Sequence, residues 1–317
     1  MSKESAWQEK ITGEWYGCPS VFDADGTHLG FNKVNRSSVF KDGLTTYFMH
    51  TDLNVEGPLR ARFEARGFAF GVRDDGADRV YMGPDFFGAG KPYGNLVDAH
   101  YYSPGWSSDL KTMVHILPDG QTQAYSSLLY EGPRIIAVFN GLYLMATDYE
   151  TNPDTKARID TFIAAERLRG NTPHILPMKE AGEWSGVLSA YSPEQKAIGE
   201  TYAKIEYRPL DLRRAELVLS LEGVVNLKAR YLRSREGFRH DFHGPELYGN
   251  AMAYGRALYS SLHFTGGAQK LVGRDFLIDD NFGLSVAWQL SKSDHPQELL
   301  HGVLRWTPRE EVLIAQY

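Results

Sequence analysis

The segment "NLVDAHYYS" (95–103) places Asp98, His100 and Tyr102 at alternate positions. On a strand, residues two apart share a face, so a carboxylate, an imidazole and a phenol would stand side by side, with Val97, Ala99 and Tyr101 opposite. Such a row could orient a substrate or move a proton, Asp98 steering the imidazole of His100. It suits the outward polar face of a strand equally well, and both readings stay open. In "GFRHDFHGP" the same parity separates Phe238, His240 and Phe242 from Arg239, Asp241 and His243. An imidazole among phenylalanines must find a partner or stay neutral, so His240 is either a core histidine satisfied by backbone or a catalytic group. With His263 on a later strand-like run, the candidate catalytic set is His100, Tyr102, Asp98, His240 and His263. Tyr93, Tyr254, Trp106, Trp288 and His115 are the candidates for substrate contact.

Metal chemistry has little to stand on. His240 and His243 are three apart, the wrong parity for one strand face, and spacing fixes no third ligand. No metal is assigned. Haem needs only one axial imidazole in an apolar slot and stays open; otherwise no cofactor is expected. The sequence contains no Gly-x-Ser-x-Gly elbow, Walker loop, dinucleotide fingerprint or His-Glu-x-x-His, which argues against nucleophilic elbows and nucleotide binding. The single cysteine, Cys18, excludes an intrachain disulfide and reads as a buried, inert thiol.

The elements that would position these residues are short strand-like runs broken by turn chemistry. Asp75-Gly76 sits between two such arms, and Asp119-Gly120 and Asn140-Gly141 punctuate later ones, describing an antiparallel meander of hairpins. The pattern changes at "NPDTKARIDTFIAAERLRGN", which predicts a helix with Asp154 as N-cap, Ile159, Phe162 and Ile163 on its apolar side and Gly170 at its stop. "TPHILPM" (172–178) then reads as an extended linker, and strand signals restart. The domain boundary is placed at 175, giving domains 1–175 and 176–317.

Two repeats support that division. "TGEWYG" and "AGEWSG" share Gly-Glu-Trp-x-Gly, Trp15 matching Trp184, and "GPDFFGAGKPYG" (83–94) returns as "GPELYGNAMAYG" (244–255). Two matches in the same order indicate an internal duplication with loop-length differences. The glycines of the second repeat are read as a corner made in both halves, and Tyr93 and Tyr254 as rings that pack there or project inward.

A Gly-x-Trp on the first strand (Gly13, Trp15; Gly182, Trp184), followed by a strand meander and a helix, resembles the lipocalin and wider calycin group. The resemblance implies an all-β protein of two tandem antiparallel lipocalin-like β-barrels joined by one helix, each tryptophan closing one barrel end. Two barrels in one chain look like the bilobal cyclases of the Diels-Alderase type and the carotenoid hydratase group of secondary metabolism. What that implies is a pocket, in a barrel or between lobes, where a hydrophobic small molecule is cyclised or isomerised without a redox cofactor. A carrier of a hydrophobic ligand or haem, or a metal- or haem-dependent oxygenase, is the alternative; the haem-binding nitrobindin type also begins Gly-x-Trp-x-Gly.

Composition is consistent with this and narrows the partners. Hydrophobic residues make up 42% of 317, charged residues 23%, and the net charge is -6 with no basic stripe, so a soluble globular protein without nucleic acid as partner is expected. No apolar leader or bilayer-length stretch is evident, and a cytoplasmic location without membrane contact is the expectation. The 18 Tyr and 16 Phe, with 31 Gly, suit bent strands around a ring-lined pocket.

Overall fold

A computed structural model describes residues 5–57, 59, 66–84, 87–104, 107–174 and 180–309. The chain divides into two compact units, Met1–Thr172 and Pro173–Tyr317. In the first, strands β1 (Gly13–Gly17), β2 (Ser20–Phe22), β3 (His28–Lys41), β4 (Leu44–Val55), β5 (Arg66–Asp75), β6 (Asp78–Met82), β7 (Phe87–Tyr93), β8 (Leu96–Ser103), β9 (Ser108–Ile116), β10 (Thr122–Glu131) and β11 (Arg134–Ala146) form one antiparallel sheet. Both β1 and β2 lie between β3 and β11. They fill a single position, interrupted at Cys18-Pro19, where proline offers no N–H to the ladder. The sheet therefore closes as a ten-position barrel.

The second unit closes by the same plan: β12 (Gly182–Tyr191), β13 (Ala197–Pro209), β14 (Arg214–Gly223), β15 (Leu227–Glu236), β16 (Arg239–His243), β17 (Leu247–Tyr254), β18 (Ala257–Phe264), β19 (Gln269–Leu277), β20 (Leu284–Lys292) and β21 (His295–Pro308), with β12 returning to β21. The two Gly-Glu-Trp segments head separate sheets. From β6 and β16 onward, equivalent strands lie 161 positions apart, as Asp78–Met82 and Arg239–His243 do. The extra residues of the first unit fall between β4 and β5, where 56–65 answer to 224–226.

Helix α2 (Pro153–Arg169) stands between the two barrels in chain order. Its N-cap is Asn152 rather than Asp154, the Asn152 side chain accepting from the N–H groups of Asp154 (3.0 Å) and Thr155 (3.5 Å). Proline at position 153 takes the first turn, where its missing donor costs nothing. Ile159 and Ile163 are buried with Tyr16, Cys18 and Ala146. Gly170 ends the helix at φ -54, so its requirement is space, not left-handed backbone: a Cβ would collide with the Ser20 hydroxyl and the Phe31 ring.

Two features depart from the sequence expectations. A short helix, α1 (Ala6–Ile11), precedes β1, capped by Ser5; six residues are too few to show a 3.6 period. Asn140-Gly141 lies within β11 and makes no turn. Gly141 is needed there because β11 passes Pro19 so closely that a Cβ would stand 2.8 Å from the Pro19 Cα. The turn before β11 uses Gly132 instead, at φ 57.

Candidate functional site

The first barrel is closed at one end by α1. Trp15, fully buried, donates from Nε1 to the Ile11 carbonyl at 2.9 Å. Gln8 reaches from the same helix into the barrel, its Oε1 accepting from the Tyr47 hydroxyl (2.9 Å) and from Nη2 of the buried Arg79 (2.6 Å). Trp184 makes the equivalent contact in the second barrel, donating to the Phe282 carbonyl at 2.8 Å. Each Gly-x-Trp tryptophan thus fixes the segment that stops its barrel.

Beyond α1 the first barrel is hollow. A cavity of about 480 Å³ runs inside it, walled by Trp7, Phe68, Phe70, Phe139 and the tyrosines 47, 81, 101, 125 and 143. Its size falls within the range of small-molecule sites, and its make-up of rings with a few polar groups is theirs too. The second barrel holds a cavity of only about 40 Å³. At two inward positions the first barrel carries Ser127 and Ser103 where the second, 161 residues on, carries Trp288 and Phe264, side chains of its packed core.

Polar groups on the cavity wall form three sets, two of them backed by a buried residue behind the wall. The Thr112 hydroxyl lies 2.9 Å from that of Ser127 behind it, both buried, and Tyr125 hydrogen-bonds to this pair; Tyr81 and Tyr101 hydrogen-bond to one another. In the third, Arg36 donates from Nη2 to Oε1 of Gln123 behind the wall at 2.9 Å, and its guanidinium lies within 5.8–6.0 Å of the ring centres of Trp15, Tyr47 and Tyr143. Burial raises the phenol of Tyr81 to about 12 and those of Tyr101 and Tyr143 well above the usual value, with Tyr47 and Tyr125 raised as well. All five are neutral hydrogen-bond donors at neutral pH.

The sequence-derived candidates do not gather at this cavity. On β8 the inward set is Val97, Ala99 and Tyr101; Asp98 and His100 are exposed and Tyr102 is 39% exposed. The outer partner of His100 Nε2 is Asp109 Oδ1 at 2.9 Å, not Asp98. Tyr102 meets the ring of Phe87 edge-on. His263 faces outward, its ring stacked on Tyr248 at 5.0 Å. Tyr93, Tyr254 and His115 are buried but do not line the cavity; Tyr93 and Tyr254 stand just before the hairpin glycines Gly94 and Gly255 (φ 65 and 56). Trp106 lies outside the described residues. Gly88 and Gly249, from the repeated glycine motif, let neighbouring strands approach: a Cβ on either would strike the carbonyl of His100 or Ser261.

His240 and Trp288 are the exceptions, both pointing into a barrel, but into the filled one. Arg233 donates from Nε to His240 Nδ1 at 3.0 Å, so the imidazole is satisfied by a guanidinium rather than by backbone. Burial, then the Arg233 charge, lowers His240 to about 2. Trp288 donates to Asp275 at 2.7 Å, and burial raises that carboxyl to about 6. His174 completes the cluster, donating from Nδ1 to the Arg256 carbonyl at 2.7 Å and held to about 3 by burial and then Arg233.

The residues that do line the hollow barrel were legible only through parity. "VNRSSVF" alternates Val34, Arg36 and Ser38, and buried Val34 assigns Arg36 to the inner face. Haem does not fit the described wall through the expected imidazole, since among the described residues no histidine or cysteine lines the cavity. Among the described residues no group of three His, Cys, Asp or Glu could hold a metal ion.

No family model and no curated protein matches the sequence. Among solved structures, the chain is similar to a protein of unknown function from the DUF3598 family of Nostoc punctiforme: 12% identity, TM-score 0.56, covering 97% of this chain and 100% of that one. That likeness extends to the whole two-barrel fold and to nothing finer. Kievitone hydratase of Nectria haematococca (7% identity, TM-score 0.22, 97% and 93% covered) and a porin mutant of Rh. blastica (7%, TM-score 0.20, 93% and 98%) are too distant in shape to carry an argument.

Proposed function

We propose that the first barrel binds a hydrophobic small molecule and that the second, built on the same plan, is filled and structural. The observation that carries this is the contrast between about 480 Å³ and about 40 Å³ in two barrels of shared register. In a cavity of this size walled by aromatic rings, a ligand gains free energy by moving its apolar surface out of water. N-phenyl-1-naphthylamine, a neutral aromatic dye whose emission rises in apolar surroundings, tests this directly. One dye bound per chain supports the proposal; no saturable binding contradicts it.

Conversion of the bound molecule by cyclisation or isomerisation, without a redox cofactor, is the second reading. The five neutral phenols and one guanidinium favour it, because donors held in a low-dielectric cavity stabilise an oxyanion or enol as it develops. Shape and donors of this kind suffice for such reactions without a nucleophile. A β,γ-unsaturated steroid ketone provides the test, its conjugated isomer being followed by absorbance. Turnover above buffer that falls ~10²-fold in Tyr101→Phe or Tyr125→Phe supports catalysis; a rate equal to buffer with the dye site intact leaves a carrier.

A further inference from the structure

Among the described residues Arg36 is the only charged side chain on the wall of the cavity. It is half-buried, and among the described residues no carboxylate lies within ion-pair distance of it. What surrounds it is one neutral amide, Gln123, and the rings of Trp15, Tyr47 and Tyr143, while its Nε is buried without a hydrogen-bond partner. A cation removed from water into an apolar barrel without a counter-ion is costly to keep. Arg79, the other arginine buried in the first barrel, differs in having a carboxylate, Asp74, 3.7 Å away as well as the Gln8 amide. Arg36 also occupies the position that Ile205 holds in the filled barrel, 169 residues on, where Trp184 matches Trp15. An apolar side chain serves the fold there. The guanidinium therefore belongs to the contents of the cavity and not to the barrel plan.

From this we infer that the ligand is a hydrophobic monoanion, an aromatic or polyene carboxylic acid, seated with its carboxylate at Arg36 and its apolar body between the rings of Phe68, Phe139 and Tyr125. A single guanidinium balances one negative charge. Its planar fork suits a carboxylate, and the adjoining rings hold it in place while excluding water. The neutral phenols tolerate an anion beside them, as ionised ones would not. This assignment rests on the first barrel being the ligand site.

The experiment compares two dyes of one scaffold, N-phenyl-1-naphthylamine, which is neutral, and 1-anilinonaphthalene-8-sulfonate, which adds one negative charge. Wild-type protein is expected to bind both at one site per chain, the anionic dye more tightly. Arg36→Gln is expected to weaken the anionic dye by roughly 10- to 100-fold and to leave the neutral dye within about twofold, which also reports an intact barrel. Arg36→Lys should lie between. Oleate and its methyl ester, as competitors of the neutral dye, carry the test over to carboxylates: oleate alone should lose potency in Arg36→Gln. Should the variant fail to fold, the wild-type preference for oleate over its ester still decides. Equal affinity for charged and neutral members, or an Arg36→Gln that weakens both alike, overturns the inference while leaving the small-molecule site standing. Failure of every probe to bind overturns both.

Discussion

Burial at the level of single residues decides which ionisable groups carry charge. His174 and His240 are held neutral in the second barrel, at about 3 and about 2 against an ordinary value near 6.5, burial being the larger cause in each. Unfolded chain takes up two protons at these positions as pH falls through ~6.5, and the native barrel does not, so their contribution is complete above pH ~6.5 and lost below it. Asp275, raised to about 6 by burial, acts in the opposite sense, since the native carboxyl takes up its proton before the unfolded one does. Two protons against one leave a net loss on the order of 1 kcal/mol per pH unit between pH 6 and 4. Urea unfolding followed across that range should show stability declining with acid, and His240→Gln should flatten the slope. Parity paired His240 with Phe242 on one buried face, whereas Phe238, in the turn before β16, is exposed. The Arg233 partner was not readable, because it comes from a neighbouring strand whose register no local pattern encodes. At Asp98, His100 and Tyr102 the alternation was right and the face was the outer one. Val97, Ala99 and Tyr101 were the better guide, since an apolar row beside a polar one points inward.

Among the elements, α1 bears most on the site and was least visible in the sequence. Its six residues are held by Gln8, which shares one oxygen between Tyr47 and Arg79, and by the Trp15 indole on the Ile11 carbonyl. Gln8→Leu removes the acceptor facing a buried guanidinium whose Nε and Nη1 already lack hydrogen-bond partners, and should cost about 2–4 kcal/mol. Adding Arg79→Met should recover most of that loss, since an apolar pair of similar size needs no acceptor. Chemical denaturation of the two single variants and the double variant measures the coupling; strictly additive losses would mean that α1 is held by other contacts. The Gly-x-Trp motif disclosed the closing tryptophans but not what they close against. In the first barrel that is a helix; in the second it is the 278–283 turn bearing Phe282, braced by Asp279 accepting from the Asn281 and Gly283 N–H groups.

At the scale of the molecule, one barrel plan has been used twice with different fillings. The duplication was legible in the sequence because glycines at close strand crossings, Gly88 and Gly249, and the two tryptophans recur in order. Which copy is hollow was not legible, since volume depends on which inward positions face each other across the barrel, and only the register supplies that. Exchange of one position should move the cavity. Trp288→Ser opens the filled barrel and should cost about 3–5 kcal/mol, the penalty for an unfilled indole volume. Ser127→Trp, its converse, places an indole on the inward face of β10 between Tyr125 and Leu129, which both line the cavity, so the ligand space should be taken at the cost of the Ser127–Thr112 hydrogen bond. Thermal denaturation should show the first variant strongly destabilised and the second less so.

The stoichiometry of N-phenyl-1-naphthylamine binding, measured by fluorescence titration in wild type and in Ser127→Trp, bears most directly on the claim that the first barrel holds the ligand. One saturable site per chain is predicted for wild type, and none for a Ser127→Trp protein that keeps wild-type circular dichroism and a cooperative melt. A folded Ser127→Trp that still binds one dye with wild-type affinity would place the ligand somewhere other than the first barrel.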